Sequence, residues 1–244
     1  VHDALNLYVS ASRGFVGSGV NFGRSATYDN SILDPSISTA YELGTKSTFF
    51  DNSLRLNGAI FWQKIEDLQT SGLIPGTVQT ETFNAGDLTA QGFEADLTWA
   101  ASTNLTLDFK VTYLDTEISD LEQPCWPGQT AAQGCTILGE DGVAGGTDVD
   151  GESGVQAPDW SYRASGRYDI PLTSMPFDLY AAAAYTWQDD IQYKLNQDPL
   201  LNQPSYGLLD ITLGLEDKQG RYSVSLYGKN VTDEEFLLNW DSAE

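Results

Sequence analysis

Apolar and polar residues alternate along most of the chain, so that every second side chain is apolar over successive stretches. A period of two is the pattern of β-strands with one apolar and one polar face, and no stretch shows a convincing helical period. The alternation predicts nine strands, at residues 4–14, 39–50, 54–67, 80–101, 105–118, 158–170, 177–191, 205–216 and 221–231. Within the fourth strand, Gly92 follows a polar kink and predicts a bend of the backbone, as at a β-bulge.

The segments between the predicted strands alternate in length. They contain 24, 3, 12, 3, 39, 6, 13 and 4 residues in chain order. Short turns that alternate with long loops are typical of an up-and-down outer-membrane barrel, with the turns in the periplasm and the loops outside the cell. The predicted fold class is therefore all-β, a partial antiparallel up-and-down transmembrane β-barrel with about nine strands of a larger barrel.

The two strand faces distinguish a membrane barrel from a soluble β-sandwich. The polar faces carry Ser, Thr, Asn, Asp, Arg and small residues, which suit a watery lumen. The apolar faces place aromatic residues such as Trp160, Tyr185 and Trp187 near the strand ends, as membrane barrels do at the two interfaces. A soluble sugar-binding β-sandwich and a smaller complete porin-like or adhesin barrel remain as alternatives.

Composition and charge narrow the possible functions. The 244 residues include 12 Lys and Arg against 35 Asp and Glu, a formal net charge of −23. Such a chain lacks the basic stripe that binds a phosphate backbone, which argues against a nucleic-acid partner. The apolar content of 41% argues against disorder. The sequence has no apolar run of about 18 residues, which argues against a transmembrane helix.

Residues suited to catalysis are few. The chain has two cysteines and one histidine, which leaves little for metal or nucleophilic chemistry. The carboxylate pairs Glu94/Asp96 and Asp189/Asp190 fall on a polar strand face and at a strand end, where solvated charge is the simpler interpretation. We therefore expect no enzymatic activity and no cofactor.

Several stretches resemble the barrel of the TonB-dependent outer-membrane receptors, and their order and spacing extend over residues 4–236. They are LNLYVSASRGF at 5–15, YELGTK at 41–46, NAG at 84–86 followed by QGFEADL at 91–97, and YGKNVTDE at 227–234. The resemblance implies a place in the outer membrane of a Gram-negative bacterium. It also implies uptake of a scarce nutrient of the siderophore, haem, cobalamin or glycan class.

The same resemblance implies partners. In this family an N-terminal plug domain fills a barrel of about 22 strands, and TonB contacts a segment that precedes the plug. Nine strands and no plug are recognisable in residues 1–244, so we expect the chain to be the C-terminal portion of a receptor barrel. The expected partners are outer-membrane lipid, the missing plug and N-terminal strands of the same receptor, TonB through that N-terminal region, and a small-molecule ligand.

The 39-residue segment 119–157 is an extracellular loop in this topology. Because the region outside the outer membrane is oxidising, Cys125 and Cys135 are candidates for a disulfide rather than for a metal or redox pair. Loop aromatic residues and amides suit contacts with sugars and other polar organic ligands. The candidate ligand-binding residues are Trp126, Gln129, Gln133, Tyr193 and Asn196.

A weaker candidate in the same loop is a calcium site. Asp148, Asp150 and Glu152 alternate in a glycine-rich stretch, as oxygen ligands of Ca²⁺ often do. An EF-hand loop needs Gly at its sixth position and Glu at its twelfth, but Ser153 and Asp159 occupy those positions. Solvated charge is therefore the preferred interpretation.

Overall fold

The computed structural model describes residues 4–20, 32–73, 80–139 and 142–238, which contain eighteen strands and two single 3₁₀ turns. Within these residues, no helix has the length and apolar character that a membrane crossing requires. The strands are β1 (Ala4–Val16), β2 (Gly19–Val20), β3 (Ile32–Leu33), β4 (Ser36–Phe49), β5 (Leu54–Glu66), β6 (Gln69–Leu73), β7 (Thr80–Asn84), β8 (Asp87–Ser102), β9 (Leu105–Ser119), β10 (Glu122–Pro124), β11 (Cys135–Leu138), β12 (Ala144–Asp148), β13 (Trp160–Ile170), β14 (Phe177–Gln188), β15 (Ile191–Gln192), β16 (Asn202–Gln203), β17 (Tyr206–Asp217) and β18 (Ser223–Gly228). The 3₁₀ turns are Ala131–Gln133 and Pro199–Leu201.

Nine strands form one continuous sheet in the order β1-β4-β5-β8-β9-β13-β14-β17-β18. Each strand runs antiparallel to its neighbour, so the chain meanders across the sheet. The prediction of an antiparallel all-β meander is confirmed, and a single nine-stranded sheet differs from the two packed sheets of a sandwich. We call the end with the short connections the turn end, and the end with the long connections the loop end.

The predicted strand 80–101 is wrong in one respect, because the structure divides it into β7 and β8. The division occurs at Ala85 and Gly86, where Gly86 has a φ of +63° that is strained for residues with a side chain. A β-carbon at Gly86 would also overlap the carbonyl oxygen of Ser119. Besides β7, the described parts of the long connections contain eight short strands that the alternation did not predict, because two- to five-residue strands are too short to show a period.

The predicted bulge at Gly92 is also wrong. The register runs without a shift through this position, where Gly92 pairs with Phe61 on β5 and with Leu114 on β9. The irregularity in this strand pair lies instead between Ala100 and Ser102, close to the turn end. Gly92 is needed for a close approach of backbones, since a β-carbon there would overlap the carbonyl oxygen of Tyr113.

The register collects the apolar side chains on one face of the sheet, which we call the apolar face. Because cross-strand partners point to the same side, apolar residues of neighbouring strands lie side by side. One such row consists of Val9, Leu43, Ile60, Phe93, Tyr113 and Trp160. Aromatic rings form a belt on this face towards the loop end, with ring centroids 4.8 Å apart for Tyr113 and Trp160 and 5.3 Å apart for Tyr162 and Trp187.

Candidate functional site: loop platform and polar wall

The long connections at the loop end pack against one another. Their described parts are 67–73, 80–86, 120–139, 142–159 and 189–205, and we call them the loop platform. A buried apolar cluster lies between them and the adjoining strand end, formed by Ala85, Ile118, Leu121 and Val149, with Phe83, Leu88 and Leu195 packed against it. This cluster lies where the loops meet the loop-end residues of β8 and β9, so it holds the platform over the loop end.

Hydrogen bonds join the second and third connections of the platform. The backbone N–H of Gln156 donates to the carbonyl oxygen of Gln192 at 2.8 Å, and the side-chain amide of Gln197 donates to the carbonyl oxygen of Ser153 at 3.1 Å. Because apolar packing and hydrogen bonds connect the same segments, the loops support one another as a unit.

The middle of the 120–159 connection contains a small sheet of its own. Strands β10, β12 and β11 form a three-stranded sheet in that order. Cys125 and Cys135 are joined by a disulfide with an S–S distance of 2.04 Å, and no other cysteine occurs in the chain. We call residues 122–148 the disulfide hairpin. Its ends meet at the sheet, because Glu122 and Asp148 are paired positions on β10 and β12.

Three candidate ligand residues come together inside the disulfide hairpin. The backbone N–H of Trp126 donates to Oε1 of Gln129 at 3.1 Å. The amide of Gln129 donates to the carbonyl oxygen of Gln133 at 2.9 Å and to Oγ1 of Thr147 at 3.3 Å. Oε1 of Gln133 accepts from the backbone N–H of Thr130 at 3.0 Å. Both amides therefore hold the turn in shape, and Trp126, which donates its backbone N–H to one of them, is half-buried.

The other two candidates lie in the 189–205 connection. Tyr193 is buried and its hydroxyl donates to the carbonyl oxygen of Leu237, so it anchors the segment after β18 rather than facing solvent. Burial also raises the pKa of the Tyr193 hydroxyl. The same segment places Phe236 in a stack with Tyr206, at a centroid distance of 4.5 Å. Oδ1 of Asn196 is buried and accepts no hydrogen bond within the described part of the chain.

The carboxylates of the calcium candidate shape the loop. Oδ1 of Asp148 accepts from the backbone N–H of Asp150 at 3.0 Å, and Oδ1 of Asp150 accepts from the backbone N–H of Leu121 at 3.0 Å. Glu152 is exposed. Among residues 4–20, 32–73, 80–139 and 142–238, no three His, Cys, Asp or Glu side chains converge in a way that could hold a metal ion.

Four aspartates lie near the strand ends below the platform. Burial raises the pKa of Asp159, which precedes β13, and the carboxylates of Asp189, Asp115 and Asp190 raise it further. Because these like charges lie close together, this part of the loop end is unfavourable for binding a further anion.

The second face of the sheet, which we call the polar wall, carries most of the charged side chains of the long strands. One row across five strands consists of Lys46, Asn57, Asp96, Lys110 and Arg163. Nδ2 of Asn57 donates to Oδ1 of Asp96 at 3.3 Å, and Arg163 donates to Oγ1 of Thr186 at 2.8 Å. Alternation in the sequence predicts the polar face of each strand. It does not predict which polar residues of different strands lie side by side, because that depends on the register between strands that are distant in sequence.

A concavity of about 450 Å³ opens on the polar wall around this row. The residues that line it include Tyr8, Lys46, Glu94 and Lys110. The two lysines donate hydrogen bonds, the glutamate accepts them, and the tyrosine hydroxyl does both. Asp96 also lines the concavity, and its Oδ2 is buried and accepts no hydrogen bond from the described residues. The wall therefore offers both donors and acceptors to a polar solute or a polar protein surface.

The polar wall also has a charged group near the turn end. Arg167 contacts Asp169 at 2.8 Å and Glu216 at 3.1 Å, and its guanidinium lies 3.8 Å from the ring centroid of Tyr180. A planar cation that is paired on two sides and stacked on a third is held in one orientation. On the polar wall, this group therefore connects β13, β14 and β17.

Known proteins share this architecture. The structure of the ferric yersiniabactin uptake receptor FyuA from Yersinia pestis superimposes with a TM-score of 0.73 at 20% sequence identity, covering 98% of this chain and 32% of that chain. The structure of the siderophore receptor PiuA from Acinetobacter baumannii superimposes with a TM-score of 0.66, also at 20% identity, covering 95% of this chain and 30% of that chain. Both similarities concern the fold.

A curated relative is similar in sequence. The probable TonB-dependent siderophore receptor PiuA of Acinetobacter baumannii is 29% identical over 133 residues, which are 52% of this chain and 17% of that protein. The chain thus spans less than a fifth of the curated relative and about a third of the two receptor structures. Residues 1–231 match the family described as TonB dependent receptor-like, beta-barrel. The chain therefore belongs to the TonB-dependent receptor β-barrel family, whose members lie in the outer membrane of Gram-negative bacteria.

Proposed function

We propose that this chain forms part of the wall and of the outer mouth of a receptor that imports iron bound to a siderophore. The observation that carries the proposal is the loop platform, which is packed as one unit over the loop end of the polar wall. A shaped surface above a polar wall suits capture of a polar solute before passage. The names of the similar receptors, which refer to siderophores or to ferric yersiniabactin, favour this nutrient over haem, cobalamin or a glycan.

We propose further that residues 1–244 are the C-terminal portion of the receptor barrel. The plug, the remaining barrel strands and the segment that contacts TonB would then belong to other parts of the same receptor, and lipid would cover the apolar face. In this arrangement the role of the chain is transport rather than catalysis. The proposal is supported by the limited share of the relatives that the chain spans.

Within the platform, we assign ligand contact to the disulfide hairpin. Gln129 and Gln133 support the turn through their amides, and Trp126 at the start of that turn supplies a half-buried aromatic side chain for the contact. Tyr193 acts as a support because its ring is buried. Asn196 contributes an acceptor whose hydrogen bond would come from the ligand or from water.

Excision of the hairpin tests this function. Because Glu122 and Asp148 are paired, residues 123–147 can be replaced by a short Gly-Ser linker without moving the buried cluster at Leu121 and Val149. In the complete receptor, we expect at least one ferric siderophore of the hydroxamate, catecholate or carboxylate class to bind with a Kd of about 1 μM or below, by intrinsic fluorescence quenching. Excision should weaken that binding by at least about tenfold.

The controls separate this function from its alternatives. The excised receptor should keep its heat-modifiable mobility in electrophoresis, which shows an intact barrel. Tight binding of haem or cobalamin with none of any ferric siderophore would contradict the assigned nutrient. Iron uptake that persists in a host without TonB would contradict the receptor and favour a porin-like barrel.

A further inference from the structure

The loop platform leans over the polar wall rather than over the apolar face. Its buried Gly154 donates a backbone N–H to Oγ1 of Thr116 at 2.9 Å, and a β-carbon at Gly154 would lie 3.4 Å from Cδ1 of Leu88. Thr116 and Leu88 belong to the polar wall, because each lies an even number of residues from Lys110 or Asp96 on the same strand. The platform therefore lies at the loop end of the space that the polar wall lines, which we call the entrance.

The platform carries a large excess of negative charge. Its described segments contain eleven Asp and Glu residues against one basic residue, Lys194. Two of the acids lie in 67–73 and 80–86, two in 120–139, four in 142–159 and three in 189–205. Some of these carboxylates accept hydrogen bonds from neutral N–H groups, as Asp148 does from Asp150 and Asp198 from Leu200, and such bonds leave the charge in place. The entrance therefore attracts cations and repels anions over the distance that salt leaves unscreened, about 8–10 Å.

The polar wall below the entrance is balanced in charge. Three carboxylates and three cations lie in the three rows of the wall that border the concavity: Glu42, Glu94, Asp96, Lys46, Lys110 and Arg163. A solute that passes the platform thus meets a wall without a net preference for either sign. Selection by charge therefore takes place at the entrance.

Two buried acceptors on the same route lack a donor among the described residues. One is Oδ1 of Asn196, which lies in the chain between Leu195, packed against the buried cluster, and Gln197, whose amide donates to Ser153. The other is Oδ2 of Asp96 in the concavity of the wall. Because buried acceptors in native proteins are normally matched by donors, both positions point to a ligand that carries N–H groups.

The charge of a ferric siderophore follows from its chelating groups. Three hydroxamates, each a monoanion, neutralise Fe³⁺, whereas three catecholates, each a dianion, leave the complex strongly anionic. We propose that this receptor takes ferric hydroxamate siderophores of zero or positive net charge, with an ammonium or amide N–H group directed at the acidic platform. The proposal rests on the proposed function and adds to it the class of siderophore and the cause of its selection.

A matched set of three ligands tests the sign of the charge. The ferric complex of a linear trihydroxamate that ends in an ammonium group is compared with its N-acetylated and N-succinylated forms, which share the chelate and differ in charge at one end. In the complete receptor at about 20 mM NaCl, the ammonium form should bind at least about tenfold more tightly than the succinylated form, by intrinsic fluorescence quenching. The acetylated form should lie between them. The ratio should fall below about threefold at about 0.5 M NaCl, because salt screens the platform.

Removal of charge from the platform tests the cause of the preference. Glu122 and Glu152 are exposed, and the double substitution Glu122→Gln with Glu152→Gln should reduce the ratio at low salt by at least about threefold. The matched control is Glu66→Gln with Glu117→Gln. These two glutamates are also exposed at the loop end, but they lie on the apolar side of the sheet, so the control should leave the ratio unchanged.

Three results would overturn the proposal. They are tighter binding of a ferric tris-catecholate than of the ammonium trihydroxamate, equal affinities of the three trihydroxamates at low salt, and loss of the preference in the Glu66 and Glu117 control. In each of them a ferric siderophore still binds, so the proposed function is unaffected. If no ferric siderophore of any class binds, the proposed function and this proposal fail together.

Discussion

Gly92 lies on the polar wall between β5 and β9, where the neighbouring backbone leaves no room for a side chain. A β-carbon there would overlap the carbonyl oxygen of Tyr113 and would lie 3.1 Å from Cζ of Phe61. Because the first of these neighbours is backbone, it cannot move without breaking the ladder between β8 and β9. Gly92→Ala should therefore destabilise the complete receptor by about 3 kcal/mol, seen as a lower urea midpoint in lipid.

Gly58 on the neighbouring strand β5, which points to the apolar face, provides a glycine control with room for a side chain. A β-carbon at Gly58 would meet the carbonyl oxygen of Glu94 at 3.4 Å and Cβ of Ala95 at 4.0 Å, which are ordinary contacts. Gly58→Ala should change the free energy of unfolding by less than about 1 kcal/mol. Equal effects of the two substitutions would show that lost glycine flexibility, rather than the contact with Tyr113, determines the cost.

Asp159, at the loop end of the sheet, makes the stability of the folded protein depend on pH. Its pKa is raised in the folded protein by burial and by three nearby aspartates, so its ionised form is less favourable when folded than when unfolded. Its ionisation thus lowers stability at neutral pH, and this penalty disappears as the pH falls through the raised pKa. Asp159→Asn should raise the urea midpoint at pH 7 by an amount worth less than about 1 kcal/mol, because the carboxyl is only partly buried and solvent screens its neighbours.

The same measurement near pH 4 is the control for Asp159. There the native carboxyl becomes protonated, and wild type and Asp159→Asn should converge. A difference that stays constant between the two pH values would mean that the substitution acts through packing or hydrogen bonding instead of charge.

At the scale of the element, the disulfide hairpin is stabilised separately from the sheet. The bond between Cys125 and Cys135 closes a loop with a sequence separation of 10. Such a closure limits the unfolded loop and stabilises the folded one by about 3 kcal/mol in the chain-entropy account. The double substitution Cys125→Ser with Cys135→Ser should make the hairpin at least about tenfold more sensitive to an externally added protease.

The double substitution should not change the stability of the barrel itself. The disulfide lies beyond the strands of the sheet, and the buried cluster that holds the platform contains neither cysteine. Heat-modifiable mobility should therefore be the same for the double variant and the wild type. Nicking of both proteins at the same rate would show that the three-stranded sheet of β10, β12 and β11 maintains the hairpin without the disulfide.

Long elements could be predicted from the sequence because period-two alternation is a local property. The predicted strand 105–118 corresponds to β9 at Leu105–Ser119, and 54–67 corresponds to β5 at Leu54–Glu66. Elements that depend on distant partners could not be predicted. The break at Ala85 arises because that residue is buried against Ile118 and Val149, which alternation cannot reveal.

The candidate site shows the same limit. Sequence identified Trp126, Gln129 and Gln133 by residue type, but not that the two amides are used within the turn. The row that contains Lys46 and Lys110 could not be predicted from the sequence, because its members come together only when the registers of several strand pairs are known. Residue type and period are local, whereas a binding surface on a sheet is assembled across strands.

At the scale of the whole molecule, the two faces of the sheet lie in different solvents. The apolar face carries an aromatic belt and large aliphatic side chains, and the polar wall carries ion pairs such as that of Arg167 with Glu216. The family places this sheet in the outer membrane, so the apolar face is the one that contacts lipid. A charge added to that face must enter hydrocarbon, whereas a charge added to the wall stays in the polar interior.

Adjacent residues near the middle of β17 allow this difference to be measured within one strand. Ile211 pairs with Ala183 on the apolar face, and Thr212 pairs with Ala182 on the polar wall. In the complete receptor, Ile211→Arg should lower the free energy of unfolding in lipid by about 2–4 kcal/mol, whereas Thr212→Arg should lower it by less than about 1 kcal/mol. Ile and Thr are both β-branched and the two positions are adjacent in the same strand, so the difference reports the solvent of each face. If Thr212→Arg were the more damaging change, the assignment of the apolar face to lipid would be wrong, and so would the assignment of the polar wall to the transport path.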